Sequence, residues 1–448
     1  MNVYKLICFF ALTGSYLVGQ TPLPSDFRTC VGNISDPRTL CTLPPLTSPN
    51  YYEIRAEAVP SSTYGPLQIA KSNVTILGGG TNPTDTKIRR RGDGGGALVY
   101  NLPRPMIVLA ANVGLVTIQN LAIDGGEFDG TTTSNQQFVS PVPPDPYCVT
   151  PAGFRNQFSW RQNWRDIDAE QATSINVYRV FFYNAPGFAI WTPSDEYPSA
   201  TAAPRYVYSS INSSYYFRAG IAGVRAHNSA AVMNTTFLWS GTGGLEVRGT
   251  YSTVISNSFM ENHIKFPACA DGGQLVLTPS SRYLTIDSNS IAGPSVGSGP
   301  GQVPVDGKVT GIEAYGSNIS LYATSIYQHN SSGIGVIQNT SECLGWADAN
   351  SQRGRSCTSA YMVSASGNSY YYSPPGPSYV FNNAVHGIVY TNATNPSLNN
   401  FYATGNQYGI FSSSASQPAG FAASGGSLSG NSYGCANWSL FGSVPGCP

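Results

Sequence analysis

The chain has 448 residues, of which only 10% are charged, with 23 Lys+Arg against 23 Asp+Glu. That charge fraction lies well below the roughly 25% of an ordinary globular chain, and the even balance argues against nucleic acid or an anionic membrane as partner. An apolar content of 41% is enough for a buried core, so low charge does not signify disorder here.

Residues 1–19 read as a secretory signal. Lys5 supplies the positive charge, "LICFFAL" the apolar stretch, and Gly19–Gln20 the cleavage point. The apolar run is shorter than the ~20 residues of a membrane span, and no other segment qualifies. The mature chain is therefore expected to be soluble and extracellular. Cys8 leaves with the signal, and the remaining even set of Cys in a secreted chain predicts disulfides. The expected local pairs are Cys30 with Cys41, Cys343 with Cys357 and Cys435 with Cys447, which leaves Cys148 with Cys269. No C-x-x-C occurs, and the four His show no metal spacing, so no metal or other cofactor is expected. Sequons at Asn33, Asn73, Asn212, Asn234, Asn318, Asn330, Asn339, Asn392 and Asn437 would carry glycans in a glycosylating source.

A Pro- and Cys-containing lead-in (20–50) precedes a periodic region (51–430). The clearest unit is "LTIDSNSI" (284–291), an alternating strand broken by small polar residues before one more apolar residue. Related copies end at Phe259, Ile326, Tyr370 and Tyr408. Two positions before each anchor stand Asn257, Asn289, Thr324, Asn368 and Asn406. A second box, Gly-apolar-x-apolar, follows: "GFAIW" (187–191), "GLEV" (244–247), "GQLVL" (273–277), "GIEAY" (311–315), "GIGVI" (333–337) and "GIVY" (387–390). Repeats of 20–50 residues indicate a solenoid. The predicted architecture is all-β, a single right-handed parallel β-helix. In it the Asn turns a corner, tolerating left-handed backbone and stacking its amide on the next Asn. The helical candidate is the short "DAEQATS" (168–174). "KIRRRG" (87–92) reads as a solvated edge or loop, with an anionic-sugar contact as the alternative.

"VTILGGG" (74–80), "TKI" (86–88) and "LVTIQNLAIDGG" (115–126) resemble coils of the pectate-lyase-like superfamily of right-handed parallel β-helix proteins. The resemblance covers about 51–430. It implies that fold but no particular activity, because the superfamily holds lyases, hydrolases, epimerases and non-catalytic proteins. The N-T-D, D-D, G-H-G and R-I-K motifs of its polygalacturonase-type hydrolases are not intact. Long insertions at about 127–171 and 338–360 interrupt the coils, as functional loops often do. Residues 431–448 read as a disulfide-bonded C-terminal cap.

Stacking the second boxes gives an outward column of Ala189, Glu246, Val276, Glu313, Gly335 and Val389, which puts Glu246 and Glu313 on one face. Backbones two coils apart, about 10 Å, let carboxyls approach the ~6.5–9.5 Å of an inverting acid pair. The adjacent column holds Trp191, Arg248, Thr278 and Tyr315, suited to a sugar chain. Trp160 and Trp164, alternating with Arg161 and Arg165, suit glycan stacking, and Glu261, His263, Lys265 and Asp271 offer proton-transfer groups. The expected partner is a polysaccharide or glycan lying along the coils, bound there and, if the face is catalytic, cleaved by hydrolase or lyase chemistry. The alternative is a non-catalytic extracellular structural or adhesive protein.

Overall fold

The computed structural model describes residues 20–55, 62–90, 105–126, 165–185, 187–194, 206–217, 219, 222–240, 243–260, 262, 272–278, 281–293, 309–314, 317–327, 334–337, 378–381, 386–391, 397–399, 401–412, 422–424, 428 and 430–435. Nearly all its elements are strands, arranged in a 19-stranded sheet, a 12-stranded sheet and a two-stranded sheet. We call the first two the long and the short sheet. Each coil gives the long sheet a bent pair of strands and the short sheet one strand. One coil runs Thr253–Ile255, Ser258–Met260 and Gly272–Leu277; the next runs Arg282–Asp287, Ser290–Ala292 and Val309–Ala314.

The parallel register stacks like on like. Val254 lies beside Ile286 and then Leu321. Phe259 lies beside Ile291 and then Ile326. Leu245, Leu275, Ile312 and Ile334 form the third column. These columns are the inner faces of three walls, and their residues join one continuous buried cluster. The period-two alternation of each strand sends every second side chain into that cluster. The chain is a parallel β-helix, with the right-handed crossover that β-β-β connections of this kind adopt.

The corner between the two halves of the long sheet is built differently from the sequence expectation. The left-handed residue is the one before the corner Asn, or before Thr324 in the coil that lacks it: Ser256 (φ 56°), Ser288 (φ 54°) and Ala323 (φ 42°), with Gly405 and Gly430 in the later coils. This frees the Asn to turn its side chain inward. Asn257 Nδ2 donates to Asn289 Oδ1 (3.0 Å) and to the Val232 carbonyl (2.9 Å), and Asn257 Oδ1 accepts from the Thr235 amide (3.0 Å). Asn289 Nδ2 donates to the Val254 carbonyl at 2.8 Å. Asn406 stacks in the same way on Asn431, Nδ2 to Oδ1 2.9 Å. Asn368 lies outside the described residues. Replacing Asn257 with Ala strips partners from a buried amide and a buried carbonyl at once, so an expected loss of about 2–4 kcal/mol should appear as a lower urea midpoint. A loss under about 0.5 kcal/mol would show that the ladder does not determine stability.

Strand pairing starts before Tyr51. Gln20–Pro22 pairs with Tyr51–Ile54, and Leu40–Leu43 pairs with Val74–Gly78. Between them the helix Ser25–Gly32 presents Phe27, Cys30 and Val31, spaced three and four apart, to the end of the core. It covers apolar surface that an open coil would expose. A disulfide joins Cys30 to Cys41. Cys435 falls in the last strand of the short sheet, Tyr433–Cys435. Cys148, Cys269, Cys343, Cys357 and Cys447 lie outside the described residues, so their pairings stay expectations.

Two further expectations are corrected. Residues 168–174 form no helix: Asp168 ends the strand Arg165–Asp168, and its carboxylate accepts the Glu170 amide at 3.1 Å, a local bond that turns the chain. The basic run is not a solvated loop either. Lys87–Arg90 is a strand, Arg89 reaches Asp124 (3.5 Å), and buried Arg90 reaches buried Asp166 (3.4 Å).

Candidate functional site

The outer face of the short sheet carries a column that register sets residue by residue: Asp168, Trp191, Arg225, Glu246, Val276, Glu313 and Gly335. Glu246 and Glu313 thus stand on one lane with Val276 between them, in the register the repeats predicted. Trp191 does not stand in the Arg248 column as expected. It joins the glutamate column, because Ile190, rather than Phe188, pairs with Val224 and so with Leu245. "GFAIW" is apolar throughout, so its phase was ambiguous. Phe188 belongs outside the core cluster, its ring edge-on to Trp191 at 5.8 Å. The neighbouring column is His227, Arg248 and Thr278.

From Trp191 to Glu313 the described side chains of this lane are buried. Trp191, Arg225, Glu246 and Glu313 are each no more than 3% exposed, and Arg248 is 7% exposed. Trp191 and Arg248 were expected on an outward column suited to a sugar chain; in the structure both are packed. The Trp191 ring is held between Arg165 (3.7 Å to the ring centre) and Arg225 (4.4 Å). Arg225 also lies over Phe188 at 4.3 Å. Its Nε is 3.1 Å from Glu246 Oε1, and its Nη2 donates to Oε2 at 3.3 Å. Arg248 Nε lies 3.9 Å from the same carboxylate. At the other end Arg165 pairs with Asp168 (2.7 Å) and Glu170 (3.7 Å). His227 Nδ1 contacts the Thr192 carbonyl at 2.9 Å, and its ring faces the edge of Trp191.

The result is an alternating stack of acids, guanidinium groups and one indole, running from Glu170 to Arg248 on the outside of the solenoid. Dehydrated ion pairs of this kind add little net stability, since desolvation offsets their attraction. Cation–π contacts add about 0.5–2 kcal/mol each. Gly273 makes room for the next acid: a Cβ there would sit 3.1 Å from Glu313 Cγ and 3.0 Å from the Glu313 amide. Among the described residues no group of three or more His, Cys, Asp or Glu could hold a metal ion, and no helix is long and apolar enough to cross a membrane. Trp160, Trp164, Tyr315, Glu261, His263, Lys265 and Asp271 lie outside the described residues.

The sequence reading missed Arg225 and Asp168, and it named Arg165 only beside Trp164 as part of a glycan-stacking run, not as a member of this ion-pair array. The signal for Arg225 was present: Gly223-Val224-Arg225-Ala226 is itself a Gly-apolar-x-apolar box. Including it would have completed the column.

No protein-family model matches the chain, and no curated protein matches it. Solved structures do. The A-module of the Azotobacter vinelandii mannuronan C-5 epimerase AlgE6 aligns over 93% of this chain and 92% of its own, with 13% identity and a TM-score of 0.51. The A-module of AlgE4 from the same organism aligns over 96% and 97%, with 12% identity and a TM-score of 0.49. The periplasmic alginate epimerase AlgG aligns over 92% and 77%, with 12% identity and a TM-score of 0.48. At 13% identity the AlgE6 module shows a shared fold alone: the parallel β-helix.

Proposed function

We propose that the protein is a secreted, carbohydrate-active β-helix protein that binds a polysaccharide across its coils and acts on it at the outer face of the short sheet. The observation that carries this reading is the crowding of Asp168, Trp191, Arg225, Glu246 and Glu313 onto one lane, with Arg165 and Arg248 beside it, in a chain with 10% charged residues. Desolvated charge gathered in one place is a candidate functional site. The shared fold with epimerases of mannuronan and alginate is consistent with a sugar polymer as ligand.

Glu246 and Glu313 are the acid pair in this reading. Two strand steps separate their backbones by about 10 Å, from which the carboxyls reach the ~6.5–9.5 Å of an inverting pair. One protonates the leaving glycosidic oxygen, and the other takes a proton from the attacking water. Arg225 and Arg248 orient the Glu246 carboxylate, and Val276 keeps the floor between the acids apolar. The test is a panel containing alginate, polygalacturonate and neutral galactan, with new reducing ends, unsaturated-uronate absorbance and C-5 configuration by NMR read in parallel. Expected are new reducing ends without the unsaturated product, and at least a 100-fold lower turnover in Glu313→Gln, as loss of a general acid or base entails. Unsaturated or C-5-inverted product, or normal turnover in that variant, removes the inverting pair. Binding without turnover on any polymer leaves the adhesive, non-catalytic alternative.

A further inference from the structure

A cleft of about 540 Å³ opens on the outside of the long sheet, at the corner where its strands bend. It lies within the ~300–1,000 Å³ of small-ligand sites and is separate from the Glu246 lane. It is lined by Tyr178, Arg179 and Phe181 of the strand Ser174–Tyr183, by Ser213 of the next coil, and by Asn82, Pro83 and Thr84 at the start of the 3-10 turn Pro83–Asp85.

Arg179 is the unusual residue. It occupies the left-handed corner position (φ 53°), between Asn120 on one coil and Ser213 on the next. Glycine would take that backbone conformation without strain. The Arg179 side chain is exposed and has no hydrogen bond or ion pair to any described residue. The acids nearby are engaged elsewhere. Asp85 accepts the Thr81 and Asn82 amides, each at 2.9 Å. Asp124 faces Arg89 and accepts from Asn184 at 3.1 Å. The cleft therefore presents an uncompensated guanidinium beside two aromatic rings, rimmed by an amide and two hydroxyls.

We infer that this cleft binds an acidic sugar residue of a glycan. Its carboxylate or sulfate pairs with Arg179 in the two-pronged geometry guanidinium favours. Its ring lies on Phe181 and Tyr178, and its hydroxyls meet Asn82, Thr84 and Ser213. The aromatic surface continues across the coils: Phe181 to Tyr215 is 5.6 Å, Tyr215 to Phe217 6.3 Å and Phe217 to Trp239 5.3 Å between ring centres. A polymer anchored at Arg179 has a stacking path along them.

The experiment is isothermal titration of the full chain with polygalacturonate, dextran sulfate and neutral dextran, repeated in Glu313→Gln so that failure at the short-sheet lane does not mask this site. At least one acidic polymer should bind ten-fold or more tightly than dextran, weakening as salt rises. Which one binds identifies carboxylate or sulfate as the recognised group. Arg179→Gly should lose that preference by ten-fold or more while its melting temperature holds or rises, since Gly suits the left-handed position; Arg179→Lys should keep part of it. Phe181→Ala should weaken binding of the preferred polymer. Equal binding of dextran, no binding of either acidic polymer, or unchanged affinity in Arg179→Gly overturns the assignment.

Discussion

Glu246→Leu is expected to destabilise the protein by about 3–5 kcal/mol, because it removes the carboxylate facing the buried Arg225 at 3.1 Å. Arg225→Met should cost a similar amount by leaving the buried acid with only the more distant Arg248, 3.9 Å away. The double variant should recover most of the loss. A well-packed apolar pair commonly equals a buried ion pair in stability, and Met suits the space beside Trp191 and Phe188 through sulfur–aromatic contact. The cycle is read from urea midpoints of the four proteins. Losses that simply add would mean the two side chains do not act as a pair. Activity then separates the roles: if the lane does chemistry, the restored double variant is stable and inactive. If it is as active as the wild type, Glu246 is structural and the acid-pair assignment fails.

The second large effect belongs to the core. Phe182, Tyr216, Phe237 and Phe259 stack through four coils with ring centres 4.7, 5.0 and 4.9 Å apart and interplanar angles of 4°, 11° and 11°. Phe237 contacts rings above and below and is fully buried. Phe237→Ala opens a cavity that the flanking coils can close little, because their spacing is set by backbone hydrogen bonds. The expected cost is about 3–5 kcal/mol, beyond that of Phe237→Leu, which keeps most of the volume. Denaturant unfolding checks both. In a solenoid each coil rests on its neighbours, so hydrogen exchange should rise first around 215–260. A cost below about 1 kcal/mol would mean the stack relaxes freely.

Much of this was legible in the chain. Alternation in "LTID", the Asn at 257 and 289 and the Gly-apolar-x-apolar boxes specify strand, corner and strand, since each is local and recurs once per coil. They also align Glu246 with Glu313, because a period of two admits only one phase where polar and apolar residues alternate. At "GFAIW" they do not alternate, and the phase of Trp191 was settled only by the pairing of Ile190 with Val224. The corner geometry was half-legible: Asn is the residue that stacks, but the left-handed turn belongs to the residue before it, a division that backbone torsion alone reveals.

By itself, then, the sequence determined the solenoid and the alignment of two acids on one lane, because inward and outward positions follow from neighbours two residues apart where polar and apolar residues alternate. Only the tertiary structure decided that this outward lane is buried, that Glu246 is bound by Arg225, and that Arg179 stands beside Phe181 without a counter-charge among the described residues. Those facts depend on residues tens of positions apart in the chain meeting across coils. Local periodicity states which way a side chain points, not what it meets there.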